Sequence, residues 1–292
     1  MITVFTPTYN RAYIIYKLYQ SLCQQTCNDF EWLVVDDGST DNTQELINSY
    51  ISENKITIRY IHKENGGKHM AINLGVKEAK GELFFIVDSD DHLTNDAIKT
   101  ILDDYSEIKH NDSCAGIGYM RMDFKGEIIK NKFPFNRIKC SAHILNKKYH
   151  VKGDMAEIFK TDILKLYPFP EIPGEKFCPE ALIWFRIADK FDFLWINKGI
   201  YLCEYISDGL TAQITKHRML SPISSMIFYS EQTKRNNIHF KTKFRSAINF
   251  WRFSYNTNLM FKQKLFYISN IFALLSVIGY IFYLKDIHNG KS

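Results

Sequence analysis

Over the first hundred residues, short runs rich in β-branched and aromatic residues alternate with longer runs whose apolar positions recur every three or four residues. The β-type runs are ITVFT, EWLVV, TIRYIH and LFFIV, and segments such as RAYIIYKLYQSL and DNTQELINSYI lie between them. This alternation predicts βαβ units and an α/β fold built on a mostly parallel sheet. Helix starts are legible too. Asp41 or a neighbour precedes Leu46, Ile47, Tyr50 and Ile51, and Thr94 or Asn95 precedes Ala97, Ile98, Ile101, Leu102 and Tyr105.

From about 111 to 215 the periodicity weakens. Pro168, Pro170, Pro173 and Gly174 break the chain before a helical run, CPEALIWFRIADKF. This stretch is expected to lie over the sheet and shape a cleft. The expected organisation is a ligand-binding half at 1–110, a second half of the same domain at 111–215, and a basic helical tail at 216–292. No internal repeat or low-complexity segment is present.

Composition narrows the picture. With 292 residues and 46% apolar content, the chain can bury a large core, which argues against disorder. Six cysteines lack a CxxC pair, and Cys23 and Cys27 are spaced for one helix face, so buried free thiols are expected rather than a zinc site. The N-terminus MITVFTPTYN has neither a basic n-region nor an apolar h-region, so a cytoplasmic catalytic part is expected.

Charge is unevenly distributed. Residues 216–292 hold 12 Lys and Arg against Glu231 and Asp286, a net +10, and the remainder carries −5. Within this tail, LFYISNIFALLSVIGYIFYL (265–284) is uncharged and long enough to cross a hydrocarbon core of about 30 Å. Ser269, Asn270, Ser276 and several tyrosines dilute it, so an interfacial helix, or one packed on the catalytic domain, is open beside a spanning one. A basic tail with an apolar run points to an anionic membrane surface as partner rather than nucleic acid.

In an open α/β sheet, ligands bind beyond the carboxyl ends of the strands. The residues just past the four β-type runs are TPTYNR (6–11), DDGSTDNT (36–43), NGGKHMAIN (65–73) and DSDDH (88–92), rich in groups that bind hydroxyls, phosphates and metals. If the strand LFFIV continued through them, Asp88 and Asp90 would share a face about 7 Å apart, with Ser89 and Asp91 opposite. Paired carboxylates invite a hard divalent cation, Mg or Mn, completed by substrate phosphates. The plainer alternative is that these aspartates cap the helix starting near residue 95. Lys68 follows Gly66 and Gly67 and opens a helix, where backbone N–H groups and an ammonium can meet an anion.

Together these stretches resemble glycosyltransferase family 2, enzymes of GT-A fold that move a sugar from a nucleotide-sugar donor. The resemblance covers residues 1 to about 100 in the family's order. It implies a Rossmann-like mixed, mostly parallel sheet flanked by helices, here with a C-terminal helical tail. It implies donor contacts, usually to a uridine diphosphate sugar, at Thr6, Pro7, Tyr9, Asp37, Asn65, Lys68, Asp88 and Ser89. Asp88 and Asp90 would form the DxD motif, with Asp90 on a metal that bridges the diphosphate and Asp91 as a helper. One departure is Ile72 before Asn73, where the family often has arginine; Lys68 is a candidate replacement cation.

The family's acceptor region usually offers a carboxylate at a helix start as general base. Here GEKFCPEALIWFRIA presents Glu180, with Ala181 in place of the usual aspartate. Glu175 is the runner-up, Asp208 could position substrate, and His217 is either a further metal ligand or a surface histidine. The resemblance implies inverting transfer to an acceptor hydroxyl on a cell-surface glycan or lipid-linked oligosaccharide. A non-catalytic nucleotide-sugar-binding protein would share the donor motifs but has no need of Glu180. A Rossmann oxidoreductase would share the alternation, yet no GxGxxG follows the first strand.

Overall fold

The computed structural model describes residues 1–129, 132–151, 153–203, 213–236 and 238–290, and the chain divides into two compact units. The first comprises Met1–Pro168 and Ile183–Tyr205; the second comprises Phe169–Leu182 and Ile206–Ser292.

In the first unit, strands β1 (Ile2–Thr8), β2 (Phe30–Asp36), β3 (Ile58–His62) and β4 (Leu83–Ile86) alternate with helices α1 (Tyr16–Cys23), α2 (Thr43–Glu53) and α3 (Lys68–Glu78). These strands pair in parallel in the order β3-β2-β1-β4, with Ile2 opposite Phe30 and Leu83. Every residue of β1 and β2 is buried, as central strands covered on both faces must be. Asp41 accepts from the Thr43 N–H at 3.1 Å and from the Ala12 N–H at 3.1 Å, so it ties the start of α2 to the loop after β1.

The later elements are β5 (His92–Leu93), α4 (Ala97–Tyr105), β6 (Cys114–Met122), β7 (Arg137–Cys140), α5 (Ala142–Tyr149), β8 (Ala156–Lys160), α6 (Thr161–Lys165), α7 (Ala181–Ala188) and β9 (Asp192–Leu202). Their strands extend the sheet to nine, in the order β3-β2-β1-β4-β8-β6-β9-β5 with β7 on β9. β8 runs antiparallel to β4, Phe159 facing Phe84, and β6 runs antiparallel to β8. The second half of the domain therefore continues the sheet instead of lying over it, which corrects the sequence expectation.

Glycines explain why these strands were hard to read. A Cβ at Gly116 would stand 2.0 Å from the Ile158 carbonyl oxygen, and one at Gly118 would stand 2.2 Å from the Trp195 ring. Close packing selects glycine inside β6 and dilutes the apolar alternation that marks a strand.

The second unit holds α8 (Ile214–Leu220), α9 (Pro222–Lys234), α10 (Phe240–Ser254), α11 (Phe261–Leu265), a 3₁₀ helix at Asn270–Leu275 and α12 (Ser276–His288). Met226, Phe250, Trp251 and Phe253 form its buried interior. Asn270–His288 is long and apolar enough to cross a membrane by length and composition. None of the six cysteines forms a disulfide, and four of them are buried.

Candidate functional site

Because β1, β2, β3 and β4 run parallel and side by side, the segments that follow them leave from one edge of the sheet. The loop after β2 is anchored from below. The fully buried Asp36 accepts from the Ser39 N–H at 2.8 Å and from the Tyr60 hydroxyl at 2.6 Å. Gly38 then turns with φ +84°, and a Cβ there would meet the Asn65 nitrogen at 2.8 Å, so glycine is required twice over. On the neighbouring loop, Asn10 adopts φ 53° and its amide oxygen accepts from the Thr40 N–H at 2.8 Å.

Asp37 is a clamp. Its carboxylate accepts from the Gly66 N–H at 2.9 Å, the Gly67 N–H at 2.7 Å and the Asn65 amide at 3.2 Å, and it pairs with Lys63 at 2.6 Å. These donors fill the oxygens of one carboxylate, so in this structure Asp37 fixes the shape of the 65–67 loop. That loop delivers Lys68 at the first position of α3, and its ammonium lies 2.7 Å from Asp88. Two strand-end segments twenty residues apart in sequence thus meet through one ion pair.

Residues 88–91 are a tight turn, not a continuation of β4: the Asp91 N–H donates to the Asp88 carbonyl at 3.1 Å. The strand premise behind the pairing of the aspartates is therefore replaced, but the partition of side chains holds. Asp88 and Asp90 are half-exposed, whereas Ser89 and Asp91 are buried. The aspartates do not serve α4 as its cap, a position held by Asp96.

Electrostatics distinguish the three carboxyls. Burial pushes Asp88 up, but Lys68, Arg121 and Arg11 outweigh it and leave its carboxyl below the ordinary value. Burial and then the charge of Asp88 raise Asp90. Asp91 is pushed up to about 8, by burial first and by the Asp88 charge second, against a lowering bond from Tyr201.

Tyr201 and Arg121 are site residues that sequence reading missed. The Tyr201 hydroxyl donates to Asp91 at 2.6 Å and accepts from the Asp88 N–H at 3.1 Å. The Arg121 guanidinium lies over the Tyr201 ring, 4.5 Å from its centroid, and its Nε donates to the Met155 carbonyl at 3.1 Å. Tyr201 reaches the turn because Leu93 pairs with it across β5 and β9. An arginine and a tyrosine near the ends of two apolar runs were the available signal, and no local spacing joins them to position 91.

The remaining donor candidates fall into two groups. Tyr9 is 48% exposed at the end of β1, and Asn65 lies on the clamped loop. Pro7 is buried in β1. The Thr6 side chain is a correction: it is fully buried, and its hydroxyl accepts from the Trp32 indole at 2.9 Å, so it locks β1 to β2 instead of facing a ligand.

In the second unit, Glu180 is half-buried and immediately precedes α7, with the Leu182 N–H donating to the Pro179 carbonyl at 3.0 Å. Glu175, the runner-up base, is otherwise engaged. It is buried and accepts from the Ile223 N–H at 2.6 Å and the Ser224 N–H at 2.8 Å, in the first turn of α9. The His217 ring stacks on Phe177 at 5.8 Å, and burial lowers its pKa. Asp208 lies outside the described residues. Among the described residues, no group of three or more His, Cys, Asp or Glu is gathered to hold a metal.

A mixed sheet whose parallel strands end in acidic, glycine-containing loops defines an α/β protein of GT-A fold. The family model for glycosyl transferase family 2 matches residues 3–162, and the chain belongs to that family. A glycosyltransferase of Streptococcus pneumoniae serotype 4, GlyG, is 35% identical over 219 residues, covering 69% of this chain and 70% of the relative. Among solved structures, residues 1–349 of Staphylococcus aureus TarS in complex with UDP-GlcNAc align with TM-score 0.61 at 18% identity, covering 99% of this chain and 92% of that one. A Pyrobaculum calidifontis mannosyltransferase in complex with GDP-Man and Mn2+ aligns with TM-score 0.57 at 17% identity, over 97% and 80% of the two chains.

Proposed function

We propose that this glycosyltransferase is a metal-dependent, inverting enzyme that moves a hexosyl or N-acetylhexosaminyl group from a uridine diphosphate sugar to an acceptor hydroxyl on a cell-surface glycan or lipid-linked oligosaccharide. The observation that carries the reading is the turn at 88–91. Two half-exposed carboxylates are held on the carboxyl edge of the parallel strands, with Lys68 beside them and Tyr201 and Asp91 fixing them from beneath. A UDP-GlcNAc complex of TarS and a Mn2+ complex of the mannosyltransferase, both of this fold, support the choice of donor and metal.

The residues present suit a divalent cation. Asp90 is raised by burial and by its neighbour, so nearby positive charge would stabilise its ionised form, and an all-oxygen donor set suits Mn or Mg. Asp90 and Asp88 would hold the ion, which when bound offsets the negative charge that develops on the departing diphosphate. Lys68 adds a fixed positive charge at a helix start, where anions are favoured. Asp37 keeps the 65–67 loop in shape, Asn65 on that loop and the exposed Tyr9 ring at the end of β1 would meet the donor, and Ser89 is buried within the 88–91 turn. Glu180 takes the proton from the attacking acceptor hydroxyl, a role suited to a carboxylate just ahead of a helix.

The basic charge and the apolar run of the second unit support a location on the cytoplasmic face of the cell membrane, where a cytosolic donor and a membrane-linked acceptor would both be at hand. A panel of nucleotide sugars screened by thermal shift, with and without Mn2+, tests the donor reading. A rise in melting temperature with one UDP-sugar that needs the metal is expected. No stabilisation by any member of the panel would overturn it.

A further inference from the structure

The second unit carries a row of strongly exposed apolar side chains. Phe266 and Leu274 are each 86% exposed, Ile271 72%, Val277 66% and Ile281 61%. They lie consecutively along the chain from the end of α11 through the 3₁₀ helix into α12. The spacing of Leu274, Val277 and Ile281 puts them along one side of the helical segment, and exposed apolar residues so arranged mark an interaction surface.

One stripe of α12 is not exposed, and it shows how the segment lies. Gly279 faces α10 so closely that a Cβ would stand 2.4 Å from the Trp251 Cβ and 2.9 Å from the Arg252 nitrogen. Asp286 is 2% exposed and pairs with Arg252, the Nη2 to Oδ1 distance being 2.7 Å. The Trp251 indole donates to the Phe272 carbonyl at 2.9 Å, and the Tyr255 hydroxyl donates to the Ser276 carbonyl at 3.2 Å. The segment is thus tied to α10 near its start, at its middle and near its end.

α10 cannot enter hydrocarbon with it, because Lys241, Lys243, Arg245 and Arg252 lie along its length. A spanning arrangement would require α12 to leave α10, breaking the Asp286 pair and uncovering Trp251. Exposed Lys241 and Arg245 on α10, Lys262 on α11 and Lys285 on α12 instead supply positive charge within the same unit as the apolar face.

We propose that 266–287 is a monotopic docking surface that lies in the plane of an anionic bilayer, burying its apolar side chains at the headgroup boundary without crossing. The proposal rests on the membrane location proposed above and specifies its geometry. A bilayer is favoured as occupant because the apolar residues share their unit with a net charge of +10 over residues 216–292.

The test uses the full chain and vesicles. Co-sedimentation with phosphatidylglycerol-containing vesicles should exceed that with phosphatidylcholine alone by about tenfold and weaken as salt rises. The triple substitution Ile271→Glu, Leu274→Glu, Ile281→Glu should lower binding by about tenfold or more. Lys241→Glu with Lys262→Glu provides a second variant that leaves the apolar face intact, and it should weaken binding to the anionic vesicles alone. An epitope appended after Ser292 should stay accessible to protease in membranes whose catalytic side faces the protease.

Protection of that epitope would overturn the in-plane arrangement, and equal binding to both lipids would overturn the anionic partner. A vesicle-independent dimer abolished by the triple substitution would show that a second copy covers the face, and would also overturn the proposal. UDP binding measured on the same protein separates these outcomes from a failure of the donor reading, since neither set of substitutions touches the strand-end residues.

Discussion

Asp37, Lys68 and Asp88 form a short chain of cause. The Asp37 carboxylate closes the 65–67 loop, the loop sets the first turn of α3, and Lys68 then meets Asp88 at 2.7 Å. Lys68→Ala should weaken nucleotide-sugar affinity several-fold, consistent with the loss of a charge-assisted contact. Unchanged affinity by calorimetry would remove Lys68 from the site. Asp91 yields a pH prediction. Its carboxyl is pushed up to about 8 by burial and then by Asp88, above its unfolded value of about 4, so the folded chain binds this proton more tightly. The resulting stabilisation is full below about pH 4 and is lost as pH rises through about 8. Asp91→Asn should therefore gain melting temperature over the metal-free wild type as pH is raised from 4 to 9, and a gain independent of pH would refute the cause. Asp88, Asp90 and Lys68 were legible because each follows an apolar run within a few residues. Tyr201 and Arg121 were not, because the contacts between 201 and 91 arise from pairing of β5 with β9 across more than a hundred residues.

At the scale of elements, the βαβ half was readable because central parallel strands are buried on both faces and show as unbroken apolar runs. The strands of the other half were not, since β6 carries Gly116 and Gly118 where β8 and Trp195 press against it, whereas the helical run after Pro179 was legible and forms α7. Gly116→Ala should lower stability by about 1–3 kcal/mol, the range for overpacking a close-packed core. A melting temperature equal to wild type would show that β6 and β8 can separate to admit the methyl group. Glu175 illustrates the complementary limit. Its acidity made it a candidate base, but its use is to satisfy the first N–H groups of α9, nearly fifty residues later in the chain.

At the scale of the whole molecule, chemistry and charge are apportioned between sequence regions. The first unit carries the acidic strand-end loops, and residues 216–292 carry a net +10 against −5 for residues 1–215. The family match over residues 3–162 contains all four strand-end motifs. Glu180 lies beyond that match, and its role is open to a separate test. Glu180→Gln should retain donor binding while turnover falls by roughly 10²- to 10⁴-fold, the range for loss of a general base. Wild-type turnover in that variant would transfer the role elsewhere. The proposed function stands on the turn at 88–91 binding a nucleotide diphosphate through a divalent cation. Calorimetric titration of UDP into wild type and Asp90→Asn, each with Mn2+ and with a chelator, tests it most directly. Wild type is expected to bind about tenfold or more tightly with Mn2+, and Asp90→Asn to lose this difference. Equal affinity in all four titrations would contradict it.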